Sequence, residues 1–339
     1  MMQYNRVTLG KQAKELGFVR DTFEKVCRLD KILQFLSSDP YIAGKVVLKG
    51  GTAINLTMMD LPRLSVDIDL DYIGSNDRGQ MLAEKEEIRN LINRHMKANG
   101  YQLSLKSKSY HALDSLVYDY LNSGGAKDNL KIEINYMLRC HILEVQQREI
   151  RLPWQEEKNS VLCVNPIEIF GTKIVALLTR AAARDLYDVH NMIRFNLFDK
   201  GEIELLKQCV AFYSAVGAER APAGYSFQNV GNITQQKIKT DLYPVMRLGD
   251  RFSLEEVQKE IIDTLSVMLM TTDAEKNFWA QFNEGTYKPE LILAGEMLDR
   301  VREHPMALWK CSPKDVAKPQ SPETPLIPRY CLCKRFGLK

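Results

Sequence analysis

Asp67, Asp69 and Asp71 alternate with Val66, Ile68 and Leu70 in the run Val66-Asp-Ile-Asp-Leu-Asp-Tyr-Ile73. Side chains of a strand point to opposite faces in turn, so this pattern sends three carboxylates to one face and the apolar residues to the other. Like charges at neighbouring same-face positions repel, and a hard divalent cation with oxygen ligands neutralises them well. Magnesium is the natural candidate. The plainer alternative is an edge strand that carries acids for solubility. Three acids backed by a strong apolar face favour the metal.

A second feature lies upstream. The β-branched run Lys45-Val-Val-Leu-Lys49 ends in Gly50-Gly51-Thr52 and continues as Ala53-Ile-Asn-Leu-Thr-Met-Met59, which reads as strand, glycine turn, helix. Exposed backbone N–H groups and the helix dipole make such a turn an anion site, with the Thr52 hydroxyl as a further donor. A Gly-Gly turn alone is more often only a turn. Its weight comes from order: strand, turn, helix, a Pro62-containing loop, then the acidic strand. One element would hold a triphosphate and the other its magnesium ions.

The elements that must position these groups follow from periodicity. Residues 11–38 read as a helical lead-in broken by Gly17, and 81–99 as a long charged helix. Leu103–Leu105, Leu116–Tyr120 and Leu130–Met137 offer strands, the last two joined by an Asn122-Ser-Gly-Gly125 turn. Asn165-Pro-Ile-Glu168 marks a helix start near Pro166, and the chain stays mostly helical to about Arg302. From Pro305 onward six of the 13 prolines fall together, which reads as an extended tail. The expected division is a lead-in over 1–44, a core over 45–164, a helical domain over 165–304 and a proline-rich basic tail over 305–339.

Leu48-Lys-Gly-Gly-Thr-Ala53 followed by Arg63-Leu-Ser-Val-Asp-Ile-Asp-Leu70 resembles the AbiEii/AbiGii-type toxin family of nucleotidyltransferases, within the polymerase-beta superfamily. The resemblance extends to Glu24-Lys25, Lys173-Ile-Val-Ala-Leu-Leu-Thr-Arg180 and Arg184-Asp-Leu-Tyr-Asp188. It implies an α/β (α+β) fold: a nucleotidyltransferase core on a mixed β-sheet flanked by helices, then a mainly helical domain, with the active site in the cleft between. It also implies Asp67 and Asp69 as metal ligands and Gly50, Gly51 and Thr52 at the nucleotide phosphates. One departure is the gap of 14 residues between Thr52 and Asp67, longer than the superfamily's usual one, which leaves the roles of Arg63 and Ser65 open. The superfamily often adds a third carboxylate from a neighbouring strand. Glu133, on the polar side of Lys131-Ile-Glu-Ile-Asn-Tyr136, fits that place as metal ligand or proton acceptor, although any amphipathic strand has a polar face.

On an unbroken helix Lys173, Arg180 and Arg184 form a basic stripe. The resemblance gives Lys173 the role of steadying nucleotide phosphates, with Arg184 a second candidate. The bland alternative is a solvated face with an Arg184 and Asp188 pair worth about 0.3 kcal/mol. The resemblance also points to Asp185, and less to Asp188. Asp185 falls about 120° from Lys173 unless the helix breaks near Ala183.

With 46 Lys+Arg against 43 Asp+Glu, the net charge of +3 excludes a uniformly cationic nucleic-acid binder but not a local patch. Residues 310–339 carry +5, leaving −2 on the other 309, so a basic tail follows an acidic body. No run of about 18 apolar residues occurs, and seven scattered cysteines suit reduced thiols. A cytoplasmic location without membrane contact is expected. Cys331 and Cys333 lack the further ligands of a zinc site, and no HExxH, Walker loop or GxGxxG occurs.

The expected activity is magnesium-dependent transfer of nucleotides from an NTP to an acceptor hydroxyl, with two metal ions and release of pyrophosphate. By resemblance the chain is the toxin of a toxin-antitoxin system of the phage abortive-infection type. Its acceptor would be RNA, such as the tRNA 3′ end, so that translation stops, and a separate protein would be the antitoxin. The rivals are the same chemistry on a small molecule or protein, and a non-enzymatic nucleotide-binding module.

Overall fold

The computed structural model describes residues 4–153 and 159–312. These fall into two compact units, one reaching Ile169 and including Lys239–Phe252, the other built from Phe170–Ile238 and the chain from Ser253 onward. The first unit therefore runs past the expected boundary at 164 and takes back a segment from within the helical stretch.

The first unit is a mixed sheet flanked by helices. Two helices lead in, α1 (Arg6–Glu15) and α2 (Arg20–Ser38), with Gly17 at φ +77° making the break between them. Then come β1 (Val46–Lys49), the short helix α3 (Gly50–Ala53) with a single π-turn after it, β2 (Asp67–Tyr72) and α4 (Arg78–Ala98). Six more strands follow: β3 (Gln102–Leu103), β4 (Lys108–Tyr110), β5 (Leu113–Leu121), β6 (Lys127–Asn135), β7 (Gln146–Glu149) and β8 (Ser160–Cys163). Their order is β3-β5-β6-β2-β1-β8-β7, with β4 also on β5. β2 pairs antiparallel with β1 and parallel with β6, so the acidic strand is central and not an edge. That removes the solubility reading of its aspartates, which needs an unpaired edge.

One face of the sheet is apolar. Leu48, Ile68, Leu70, Ile132 and Ile134 are buried, and Leu33 and Leu36 of α2 line a small cavity together with Leu48 and Leu70. On the same face the α4 residue Lys85 forms a buried ion pair with Asp114 of β5, and Asn93 accepts from the Tyr118 hydroxyl. The opposite face carries the odd-numbered residues of β1 and β6 together with the aspartates of β2, and so becomes the chemical face. The turn between β5 and β6 is anchored by Glu24, whose carboxylate accepts from Ser123 N at 2.9 and 3.1 Å and binds the Arg28 guanidinium. Burial without exposure suits Glu24 to this structural task. The returning segment pins the loop before β2: Leu64 N donates to Val245 O at 2.7 Å, and the Arg247 guanidinium reaches the carbonyls of Asp60 and Leu61.

The helix α5 (Pro166–Arg180) starts where the Asn165 side chain caps Ile167 N at 3.0 Å, and it carries the chain out of the first unit. The second unit continues with α6 (Ala183–Arg194), α7 (Lys200–Val216) and helices over Leu254–Met268 and Asp273–Asn283. Within it Trp279 is buried and donates to Ala211 O at 2.9 Å. Two sequence expectations change here. α5 ends at Arg180, and Ala181 just beyond it adopts φ +52°, so Arg180 and Arg184 belong to different helices and the continuous basic stripe does not form. Pro305–Cys311 is a helix and not extended chain, because Pro305 sits at the first helical position, where its missing N–H costs nothing, and His304 caps it. The tail from 313 on, with Cys331 and Cys333, lies outside the described residues. No helix among the described residues is long and apolar enough to cross a membrane.

Candidate active site

The glycine turn and the acidic strand meet directly. Lys49 of β1 stands opposite Asp69 of β2, and Asp69 stands opposite Glu133 of β6, so these three share one row of the chemical face. Asp67 stands opposite Lys131 in the next row. Gly50 has φ +70°, and a Cβ built there would lie 2.7 Å from Asp69 Oδ2. A left-handed backbone and that contact both exclude a side chain. Gly51 is constrained by contact alone: a Cβ would meet the Arg63 guanidinium at 2.8 Å and Ser65 Oγ at 3.0 Å. Arg63, open in role from sequence, is thus a buried side chain lying over the turn. Gly50→Ala is expected to lower transfer activity at least about a hundredfold through misplacement of Asp69, as an ångström-scale shift of reacting groups does, while circular dichroism stays native.

Thr52 is fully buried. Its hydroxyl hydrogen-bonds the Asp67 carbonyl and lies 2.9 Å from Ser65 Oγ. The side chain expected on a phosphate instead ties the turn to the first residue of the acidic strand. Its backbone N–H, at the start of α3, remains in the turn.

Asp69 is half-buried. Burial, then the charges of Asp67 and Glu133, push its pKa up to about 6 against the opposing pull of Lys49 and Lys131. A bound cation would offset both the burial of this carboxylate and the repulsion from Asp67 and Glu133. The donors are all oxygen, which suits magnesium. Among the described residues no three acidic, histidine or cysteine side chains are gathered into a ready centre, and the Glu133 carboxylate lies 2.6 Å from Lys131 Nζ. The set therefore fits a cation held by the aspartate pair and completed by ligand oxygens, with Glu133 beside it.

Asp71 differs from its two neighbours. It is 1 % exposed and ion-paired with Lys49, and His141 Nε2 lies 3.8 Å from Asp71 Oδ2. His141 Nδ1 is 2.9 Å from Glu168 Oε1, and Glu168 also accepts from the backbone N–H of Ile142 and Leu143. Burial alone would lower the His141 pKa, but Glu168 and then Asp71 raise it. The three-carboxylate convergence read from alternation is thus a pair, Asp67 and Asp69, plus a third acid spent on a buried ionic cluster. Lys49, Lys131 and His141 escaped the sequence reading; the register that brings them to the acids is a property of strand pairing, not of spacing.

The remaining expected residues gather in the second unit. Lys173 Nζ lies 2.8 Å from Asp185 Oδ1 and 3.0 Å from Asp188 Oδ2. Arg180 grips both oxygens of Asp185, at 2.6 and 3.0 Å. Burial would raise the Asp185 pKa, but Lys173 and Arg180 hold it far below the usual carboxylate range. The backbone break at Ala181 is what turns Asp185 back onto Lys173. Arg184 follows in the first turn of α6, half-buried.

The family model described as nucleotidyl transferase AbiEii toxin, type IV toxin-antitoxin system, matches residues 34–284. The chain belongs to the AbiEii family. It is accordingly a nucleotidyltransferase that uses a nucleoside triphosphate, and the toxin half of a type IV system with an antitoxin as its counterpart. Among solved structures it is similar to MenT4, a nucleotidyltransferase toxin from Mycobacterium tuberculosis H37Rv, with a TM-score of 0.59 over 82 % of this chain and 93 % of that one. At 16 % identity that likeness shows the shared fold of this AbiEii-family chain. No curated protein matches the chain.

Proposed function

We propose that this toxin transfers nucleotides from an NTP to the 3′ end of an RNA, tRNA in the first instance, with magnesium held by Asp67 and Asp69. The observation that carries the reading is the closeness of Gly50 to the Asp69 carboxylate, 2.7 Å from where a Cβ would stand: phosphate oxygens seated on the turn's backbone N–H groups would lie beside that acid. In this reading Gly50 and Gly51 hold the triphosphate with the backbone of Thr52. The acceptor hydroxyl attacks the α-phosphorus, its proton passes to Glu133, and pyrophosphate leaves. Magnesium, two ions in this proposal, supplies neutralisation of phosphate charge when bound. Lys173 and Arg184 enter as proposed phosphate ligands, Asp185 and Asp188 as the acids that orient Lys173. Support for an RNA acceptor comes from the sequence resemblance. Loss of charging-competent tRNA would then block translation, an outcome suited to phage defence.

The acceptor is tested with total RNA and each α-labelled NTP. Label is expected in tRNA-sized, ribonuclease-sensitive product, and periodate oxidation of the RNA beforehand, which destroys the terminal diol, is expected to prevent it. Label that persists after periodate places the modified hydroxyl elsewhere, and label in small molecules or protein alone contradicts the RNA acceptor.

A further inference from the structure

Lys49 occupies an unusual position in this site. It is the last residue of β1, immediately before Gly50, and its Cα partner on β2 is Asp69. Its ammonium nevertheless pairs with Asp71, one step along the same face. Two features on the far side of Asp71 give this pairing a meaning. His141 is 6 % exposed, and its Nε2 has no hydrogen-bond partner. That atom lies 3.8 Å from Asp71 Oδ2, just beyond hydrogen-bond reach. The other ring nitrogen is fixed on Glu168, and Glu168 is fully buried and itself fixed by two backbone N–H groups. The ring is thus held on Glu168, and the 3.8 Å gap lies between it and Asp71.

A buried polar nitrogen left unpaired beside a carboxylate costs free energy and calls for an explanation. With a carboxylate on each side, the doubly protonated ring is the form both acids favour. Of the two basic side chains beside Asp71, Lys49 is the one placed to leave: its side chain is 28 % exposed, on a flexible stem, next to the turn. We propose that Lys49 is a transferable phosphate ligand, released from Asp71 to the nucleotide triphosphate on binding, while Asp71 closes onto His141 Nε2 and keeps its charge balanced. Asp71, His141 and Glu168 are positioning residues in this device, and Lys49 alone touches substrate. The inference rests on the placement of the triphosphate at the glycine turn given above.

The handover has two observables. In the full-length protein with Asp69 intact, addition of each of the four NTPs with magnesium is followed by NMR at the backbone amides of Gly50 and Gly51 and at the His141 Nε2–H. The expected result is that the NTP which shifts the glycines also moves the His141 signal downfield as its new hydrogen bond forms, and that Lys49→Gln removes the His141 response. Glycine shifts without a His141 response overturn the handover and leave the nucleotide placement standing; no glycine shift with any NTP overturns the placement itself.

Kinetics give the second arm. Lys49→Gln is expected to raise KM for the NTP about tenfold or more, as loss of a charge-assisted hydrogen bond does, with kcat changed less than about threefold. Lys49→Arg is expected to restore most of the loss. His141→Gln, which offers a hydrogen bond but no charge, is expected to raise KM in the wild-type background and to add nothing in the Lys49→Gln background. Full multiplication of the two effects, or an unchanged KM in Lys49→Gln, contradicts the handover. Melting curves of each variant confirm that the fold is retained, and His141→Asn stands in if His141→Gln does not fold.

Discussion

Asp69→Asn is expected to abolish nucleotidyl transfer and, at the same time, to make the protein more stable. Activity falls because one of the two proposed metal ligands is lost, and metal neutralisation of phosphoryl charge is worth several kcal/mol, or about a thousandfold or more in rate. Stability rises because burial, and then the charges of Asp67 and Glu133, disfavour the ionised Asp69 carboxyl in the folded site. Folding lifts the Asp69 pKa to about 6, so the native state prefers the protonated carboxyl. Such a group stabilises the fold below the ordinary carboxylate pKa, near 4, and that contribution is lost as pH rises through about 6. Asparagine copies the protonated form at every pH. At pH 8 the variant is therefore expected to melt a few degrees above wild type, an effect of about 1–2 kcal/mol once partial exposure is allowed for. At pH 4 the two melting temperatures are expected to converge. Magnesium is expected to raise the wild-type melting temperature at pH 8 and to have a much smaller effect on Asp69→Asn. A variant that is less stable than wild type at pH 8 contradicts the view of Asp69 as a site held in readiness for a cation.

The second large effect has the opposite sign and concerns the other unit. Asp185→Ala takes from the buried Lys173 one of the two carboxylates that hold it, and from Arg180 its bidentate partner. Removing one partner of a buried ion pair typically costs about 3–5 kcal/mol, a large part of a domain's stability. The variant is expected to melt well below wild type at neutral pH, and Asp185→Asn, which keeps the shape, to fall between. Because Asp185 has a folded pKa far below its unfolded value, its stabilisation is full above about pH 4 and is lost as pH falls toward the folded pKa. Wild type and variant are thus expected to draw together in acid, the reverse of the order at Asp69. Thermal unfolding between pH 3 and pH 8 checks both. A neutral-pH melting temperature equal to wild type contradicts a structural weight for this cluster and leaves Asp185 to chemistry alone.

Local chemistry was readable from the chain and long-range partnership was not. Alternation at Val66–Leu70 announced a strand with an acidic face, and Gly50-Gly51 announced a turn without side chains, because both are consequences of backbone geometry within a few residues. Alternation cannot tell which strands lie on either side. The central place of β2, Lys49 opposite Asp69, and Asp71 against His141 all depend on register, and His141 and Glu168 are 27 positions apart. Strands of three or four residues such as β4, β7 and β8 carry too little periodicity to stand out. Ala181 gave no sign of the left-handed turn that separates Arg180 from Arg184, since glycine or asparagine is the usual marker of that conformation. The proline-rich composition from Pro305 onward reads as extended tail, whereas Pro305 itself starts a helix. The position of Thr52 at a helix start suits its hydroxyl to an anion, and only the fold shows that hydroxyl turned inward to Asp67.

The most direct measurement is transfer from α-labelled and γ-labelled NTP to total RNA by wild-type protein, Asp67→Asn and Asp69→Asn, with magnesium and with chelator. Wild type with magnesium is expected to place the α-label in RNA and the γ-label in pyrophosphate, and both variants and the chelated protein to do neither. Label transferred by Asp69→Asn as well as by wild type, or no transfer from any NTP by folded wild-type protein, would contradict a nucleotidyltransferase site built on the aspartate pair and the glycine turn.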